Sequence, residues 1–367
     1  MFECRPQRFG AAVVPTNPGG THRSTQAGIC ARVRHRPCGC PHTSEQLARF
    51  AREHNLVRSV GRTAVCWDNA LAESFWAKMK VEFYEMVDQL ARLGIQLLFT
   101  IGDDGTLRGA HSIVAEVRRR GLKIAVVGVP KTIDNDISFI DTSFGFETAV
   151  EAARQATRAA YVEPSCHRSG IGLVKLMGRD SGFIASFATL ADTQVGICLI
   201  PEIAFSIDGV VEAARQRIER DGYVVIVVAE GAGQDLLDVA GERDASGNRR
   251  HGDIGALLRD QIGEAFRAQG TTANIKYIDP SYMIRSLPAN ARDANLCLRL
   301  GHAAVHAGMA GKTDVVIGSW RRRLTHVPIP LAVSSRKKVD TDSYLWQTVL
   351  SVTGQDDNLL NVGVGAS

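Results

Sequence analysis

Apolar positions along this chain fall into two regimes. Residues 96–101, 124–129, 170–176, 196–200 and 223–229 are short apolar runs rich in β-branched side chains, with the length and composition of buried strands. Between them, 109–120, 146–161, 182–192 and 207–220 read as helices that bury one face. Strand and helix in alternation predict an α/β fold: a parallel sheet with helices on both faces and its chemistry at the carboxyl ends of the strands. Before residue 84 the texture differs. The first 42 residues are rich in Arg, Gly, Pro and Thr without a sustained period and read as loop. Thr43-Ser44 caps a helix over 45–54, and Leu71, Phe75, Met79 and Phe83 place an amphipathic helix over 71–84.

Polar loops follow the apolar runs. Gly102-Asp103-Asp104-Gly105-Thr106 comes after the run ending at Ile101. Amides at such a strand-to-helix turn surround a phosphate, the helix amino terminus favours its charge, and a loop carboxylate holds a magnesium ion. An Asp-Gly turn is also ordinary punctuation. Pro130-Lys131-Thr132-Ile133-Asp134-Asn135-Asp136 follows the next strand and brings a cation, a hydroxyl and two carboxylates to the same sheet face. Phosphoryl transfer requires a cation for the migrating charge and a carboxylate to accept the hydroxyl proton, and Asp134 is the base candidate.

Three more loops extend the pattern. Met177-Gly178-Arg179-Asp180-Ser181-Gly182 offers an arginine and a close backbone approach, and Glu230-Gly231-Ala232-Gly233-Gln234 a carboxylate for sugar hydroxyls. The stretch 277–285 adds Tyr282 and Arg285, a planar cation suited to a phosphate monoester. Each alone also fits a surface turn or ion pair; their recurrence at strand ends favours one phosphoryl-transfer site.

Composition narrows the class. With 45% hydrophobic and 22% charged residues, 367 residues can form one large or two ordinary cores. No apolar run approaches the ~18 residues of a bilayer span, and residues 1–20 lack a signal-peptide stretch, so a soluble, cytoplasmic protein without a membrane partner is expected. The net charge of +4 is uneven: residues 1–83 hold 12 Lys/Arg against 6 Asp/Glu, and 84–367 hold 31 against 33. That basic segment reads as a solvated stretch rather than a nucleic-acid surface. Cys38-Gly-Cys40, near His35 and His42, lacks the two-residue gap of a zinc pair and reads as reduced thiols.

With these loops in view, residues 85–355 resemble the phosphofructokinase family, in particular its plant-like branch. The likeness runs through Phe144-Gly145-Phe146, 173–182, Ile200-Pro201-Glu202, 229–234, 244–248, 277–285 and 306–312. It implies a pair of Rossmann-like α/β lobes with parallel sheets, one for the phosphoryl donor and one for fructose 6-phosphate. The family's first strand and its Gly-rich phosphate loop are expected to be missing here. It further implies transfer of the ATP γ-phosphoryl group to the 1-hydroxyl of fructose 6-phosphate, a step of glycolysis, by a homo-oligomer, dimer or tetramer.

Carried over residue by residue, the resemblance makes Asp134 the base, with Lys131, Thr132 and Asp136 beside it, and Asp104 the magnesium ligand. Gly102, Gly105, Thr106 and Gly109 match donor-binding positions; Met177, Gly178, Arg179, Glu230, Tyr282 and Arg285 match the sugar-phosphate site. Pyrophosphate-dependent relatives tend to carry aspartate at the position of Gly105, where glycine leaves room for a nucleotide's α-phosphate. Lys131 occurs with either donor, so ATP is expected and pyrophosphate is the alternative. Asp103 stands where the family has glycine; a side chain there is expected to strain a left-handed residue and to set a carboxylate near the phosphates.

The chain is thus read as a segment 1–83, a phosphofructokinase domain 84–357 and a tail 358–367. Residues 35–83 resemble the carboxyl-terminal part of a DDE-type insertion-sequence transposase, through Thr43-Ser44, Ser59-Val60-Gly61-Arg62, Trp67-Asp68-Asn69-Ala70, Glu73-Ser74-Phe75 and Lys80-Val81-Glu82. Glu73 takes the place of the metal-binding glutamate, and Pro37 that of an aspartate. A DNA-binding transposase remnant is therefore one alternative. The others are a lipid or NAD kinase, which the 131–136 and 277–285 loops oppose, and an inactive remnant that binds sugar phosphate or an intact subunit.

Overall fold

Unbroken apolar runs, rather than alternating ones, belong to strands covered on both faces, and that is how the chain folds. The computed structural model describes residues 10–14, 29–32, 56–59, 83–237, 251–321, 323–357 and 359–360. The strands, in chain order, are β1 Gly10–Val14, β2 Ile29–Arg32, β3 Leu56–Ser59, β4 Leu97–Gly102, β5 Ala125–Pro130, β6 Gly170–Leu176, β7 Val195–Leu199, β8 Tyr223–Ala229, β9 Asn274–Ile278, β10 Val315–Trp320 and β11 Arg323–Pro328. The helices are α1 Phe83–Arg92, α2 Asp104–Arg119, α3 Phe146–Val162, α4 Phe183–Ala191, α5 Ile207–Asp221, α6 Ile254–Ala268, α7 Ser281–Ser286, α8 Ala291–Met309, α9 Ile329–Ala332 and α10 Tyr344–Thr353.

Several expectations lie outside the described residues: the helix over 45–54, the Cys38-Gly-Cys40 stretch, the string 244–248 and nearly all of the tail. The transposase-like stretch also lies outside them except at 56–59 and Phe83. Of the helix expected over 71–84, only the last two residues are described, as the start of α1.

The chain divides into two units, the first comprising Met1–Thr132, Ile137–Phe144 and Pro288–Arg336, the second Ile133–Asp136, Gly145–Leu287 and Lys337–Ser367. In the first unit a five-stranded sheet has the order β1-β4-β5-β10-β11. β4, β5 and β10 run parallel, and β1 and β11 pair antiparallel at the edges. Leu98, Val126 and Val316 pack with Leu107, Ile113 and Val114 of α2 on one face. Leu97, Phe99, Val127 and Ile317 pack with Leu300, Ala304 and Ala307 of α8 on the other. Burying one such side chain fully is worth about 1.5–3 kcal/mol, so two covered faces fix the strands twice over.

The edge strand β1 corrects the reading of the first 42 residues as loop. Gly10 to Val14 pair antiparallel with Ile101 to Leu97 of β4, giving backbone partners to an edge expected to lack its first strand. Five residues are too few for periodicity to separate a strand from a loop. Ile29–Arg32, in the same stretch, pairs in parallel with Leu56–Ser59.

The second unit carries a four-stranded, wholly parallel sheet in the order β7-β8-β6-β9. Val174, Leu176, Val225 and Val227 face Ala153 of α3, Ile184 of α4 and Trp346 of α10. Ile171, Leu173, Ile226 and Val228 face Val210 of α5 and Leu258 and Ile262 of α6. Among the described residues no helix is long and apolar enough to cross a membrane.

Candidate functional site

The donor-type loop is built on a helix start. β4 ends at Gly102, and α2 begins at once, five residues earlier than the 109–120 period predicts, because Asp103 caps it. Gly109 therefore lies inside the helix rather than in the loop. Asp103 has φ −85° and ψ −169°, ordinary extended backbone, so the expected left-handed strain is absent. Asp is among the preferred N-cap residues because its short carboxylate reaches the unpaired amides of the first turn. Here Oδ1 accepts from the Thr106 amide at 3.2 Å and from the Thr106 hydroxyl at 3.3 Å. A carboxylate thus occupies the helix amino terminus, at the Thr106 amide.

Asp104 turns toward cations of its own unit. Its Oδ2 accepts from Arg108 Nε at 3.0 Å, with Arg336 Nε at 4.0 Å. The second loop starts beside the first, since β4 and β5 pair in register through Gly102 and Pro130. The Lys131 amide donates to the Gly102 carbonyl at 2.9 Å, and the Ser143 hydroxyl to the Thr132 carbonyl at 2.8 Å. Gly102, Asp104, Gly105, Thr106, Lys131 and Thr132 thus gather at adjacent strand ends of the first unit, as the sequence predicts.

Asp134 and Asp136 continue that loop in the second unit. Asn135 between them adopts φ 55°, a left-handed conformation that asparagine tolerates better than most residues. The Ser181 hydroxyl donates to the Asp134 carbonyl at 3.1 Å, and the Lys337 amide to the Asp136 carbonyl at 2.8 Å. Ser181 belongs to the Met177–Gly182 string, so the base candidate is anchored to the loop expected to hold the sugar phosphate.

Strand pairing brings the remaining loops together. β6 and β8 are parallel neighbours, and their ends are joined by Glu230 N–H on the Leu176 carbonyl (2.8 Å) and Gly231 N–H on the Gly178 carbonyl (3.0 Å). A Cβ on Gly231 would stand 1.9 Å from the Arg179 carbonyl oxygen, so only glycine lets the two loops approach. Gly178 has φ 138°, and its Cβ would meet the Ser181 carbonyl oxygen at 2.6 Å. Gly178→Ala is expected to lower unfolding stability by about 1–3 kcal/mol, read from urea melts; a loss under half of that would show that the loop relaxes.

Burial pushes the Glu230 carboxyl above the usual carboxylate range, while Arg285, Lys175 and Arg179 pull it back. Three predicted ligands, Glu230, Arg179 and Arg285, therefore share one electrostatic environment. Because the folded pKa is raised, the unfolded chain gives up this proton first as pH rises, and stability falls from the unfolded pKa up through the folded one. Glu230→Gln removes that contribution. Urea melts at pH 4 and pH 7 are expected to show a smaller loss on going to pH 7 in the variant; an equal loss would place the effect elsewhere. Tyr282 and Arg285 are both exposed on α7.

Two residues of this region escaped the sequence reading. Glu202, quoted only as part of a motif, accepts from the Gly182 amide (3.0 Å) and the Val339 amide (2.8 Å) through Oε1, fixing the start of α4. Lys175, in β6, pairs with Asp253 and Asp279.

The phosphofructokinase family model matches residues 70–308. The chain belongs to the phosphofructokinase family. It is 48% identical over 287 residues to the ATP-dependent 6-phosphofructokinase of Borreliella burgdorferi, covering 76% of this chain and 64% of that protein. The chloroplastic ATP-dependent 6-phosphofructokinase 5 of Arabidopsis thaliana is 47% identical, with 74% of this chain and 51% of the relative covered. The chain thus matches between about half and two thirds of the length of these curated relatives. In fold it is similar to the pyrophosphate-dependent phosphofructokinase of Marinobacter aquaeolei, with TM-score 0.60, 22% identity, and 74% and 70% of the two chains covered. The Pichia pastoris phosphofructokinase in its T-state gives TM-score 0.56 at 22% identity, with 75% of this chain and 30% of that one covered.

A phosphofructokinase that uses magnesium needs few protein ligands. Among the described residues no group of three or more His, Cys, Asp or Glu is placed to hold a metal. Magnesium takes one or two carboxylates and completes its shell with substrate phosphates and water. The neighbouring carboxylates Asp103 and Asp104 suit that donor set, and Asp104 is the one not engaged as the helix cap.

Proposed function

We propose that this chain transfers the γ-phosphoryl group of ATP to the 1-hydroxyl of fructose 6-phosphate, giving ADP and fructose 1,6-bisphosphate. The observation that carries the reading is the hydrogen bond from Ser181 to the Asp134 carbonyl, which joins the candidate base to the loop bearing Met177, Gly178 and Arg179. The names of the relatives support it, as do the candidate loop residues gathered at neighbouring strand ends within each unit.

In this reading Asp134 accepts the proton of the sugar 1-hydroxyl as that oxygen attacks the γ-phosphorus, and the bond to the bridging β–γ oxygen breaks. Lys131 offsets the charge that develops on the transferred group, and Thr132 and Asp136 belong to the same stretch of chain. Gly102, Gly105 and Thr106 admit the donor phosphates, and Gly109 leaves the first turns of α2 slender. Asp104 would hold magnesium, which neutralises phosphate charge when bound. Arg285 and Arg179 receive the 6-phosphate by charge-assisted hydrogen bonds, Glu230 accepts from sugar hydroxyls, and Met177 and Tyr282 line the ring.

ATP is the proposed donor because Gly105 offers no side chain against an α-phosphate. A homo-oligomer, dimer or tetramer, in the cytoplasm belongs to the same reading, as does the division into a transposase-like segment 1–83, a phosphofructokinase domain 84–357 and a tail. The test is a coupled assay for fructose 1,6-bisphosphate with magnesium and either ATP or pyrophosphate. Turnover with ATP supports the reading, turnover with pyrophosphate alone overturns the donor assignment, and turnover with neither overturns the activity.

A further inference from the structure

Lys175 has no role in the reaction as proposed, yet its placement is specific. It sits in β6, two positions before Met177, in an otherwise apolar strand, with 14% of its side chain exposed. Its ammonium lies 3.2 Å from Asp253 Oδ1 and 2.9 Å from Asp279 Oδ2. A lysine that had only to lie on the protein surface would not be drawn into a strand of the buried sheet with two carboxylates closing on it.

The two carboxylates hold separate elements. Asp253 caps α6 by accepting from the Ala256 amide at 3.2 Å. Asp279 accepts from the Ser281 amide at 3.1 Å and from the Ser281 hydroxyl, which fixes the start of α7. α7 is the short helix that carries Arg285. The ammonium is thus the junction between the strand leading into the Met177 loop and the turn that aims Arg285. Burial disfavours its charge, but the hydrogen bonds and charges of the two carboxylates outweigh burial and raise its pKa above the usual lysine value. The junction therefore stays charged at neutral pH.

We infer that Lys175 is a positioning residue for fructose 6-phosphate: through Asp279 it sets Arg285 against the loop that follows β6, and so governs sugar-phosphate affinity. This rests on the proposed sugar-phosphate site. Without the ammonium, two carboxylates share the junction uncompensated, and the turn before α7 loses its anchor to the sheet.

The experiment is calorimetric titration of the full chain and its Lys175→Met, Lys175→Arg and Asp279→Asn variants with fructose 6-phosphate and, separately, with magnesium ATP. Lys175→Met is expected to weaken fructose 6-phosphate binding about 10- to 100-fold, the scale of one hydrogen bond to a charged group, and to leave ATP affinity unchanged. Lys175→Arg restores most of the loss, and Asp279→Asn weakens sugar-phosphate binding alone. Equal fructose 6-phosphate affinity in Lys175→Met and the unmodified chain, or a parallel loss of both ligands, overturns the inference. If Lys175→Met does not fold, Asp279→Asn decides by the same two readings. An unmodified chain that binds no fructose 6-phosphate overturns the proposed site and the inference together; binding that ignores both substitutions overturns the inference alone.

Discussion

Asp134→Asn is expected to slow fructose 1,6-bisphosphate formation about 10²- to 10⁴-fold, the range that a positioned general base contributes. The substitution keeps the size and planarity of the side chain and removes its capacity to take a proton. It leaves intact the hydrogen bond that anchors the loop, because Ser181 donates to the main-chain carbonyl of residue 134 and not to its side chain. The affinity for fructose 6-phosphate should therefore stay within about threefold while kcat collapses, the pattern of a group that acts in the transition state. Steady-state kinetics and a direct titration read the two quantities separately. A variant that keeps more than a tenth of the rate would remove Asp134 from the role of base.

Asp103→Gly is expected to act in the opposite direction, improving the donor. The carboxylate of Asp103 already satisfies the Thr106 amide at the start of α2, as an anion of the protein's own. A second anion about 5 Å away repels it by about 3 kcal/mol at an effective dielectric of 20, less when water and magnesium screen the pair. A fall of about tenfold in the KM for magnesium ATP, equivalent to about 1.4 kcal/mol, is the expected result. Glycine serves nearly as well as an N-cap, so stability should change by only a few tenths of a kcal/mol. Asp103→Ala separates the effects: it relieves the charge but forfeits the cap, at about 1 kcal/mol of stability. An unchanged or higher KM in Asp103→Gly would show that the carboxylate swings clear of the donor.

What the chain discloses before folding follows from how each feature is encoded. The five apolar runs between 96 and 229 announced their strands because both faces of each sheet are covered, so apolar residues stand at nearly every position. The loops after them were legible for a related reason: in a parallel sheet the carboxyl ends lie together, and polar strings that follow successive strands share a face. β9 escaped because it is only half-buried along its length, and β1 because five residues carry too little period.

Asp103 shows a subtler limit. Its residue type was visible, but whether a position is left-handed or an extended cap is decided by where the helix starts, and the periodicity placed that start too late. Lys175 and Glu202 were hidden by distance. Lys175 meets Asp253, 78 residues along the chain, and Glu202 meets Val339, 137 residues along. Such partners are settled by the order β7-β8-β6-β9, which no local pattern contains. The two lobes that the resemblance implies are present as two units, but each is assembled from separated stretches of chain, which no local pattern announces.

ATP labelled in its γ-phosphoryl group, supplied with magnesium and fructose 6-phosphate, reports the transfer itself through the fate of the label. The label is expected at carbon 1 of fructose 1,6-bisphosphate, and Asp134→Asn is expected to suppress the transfer while still binding the sugar phosphate. Label that remains in ATP, under conditions where the unmodified chain binds both substrates, would contradict the proposed transfer.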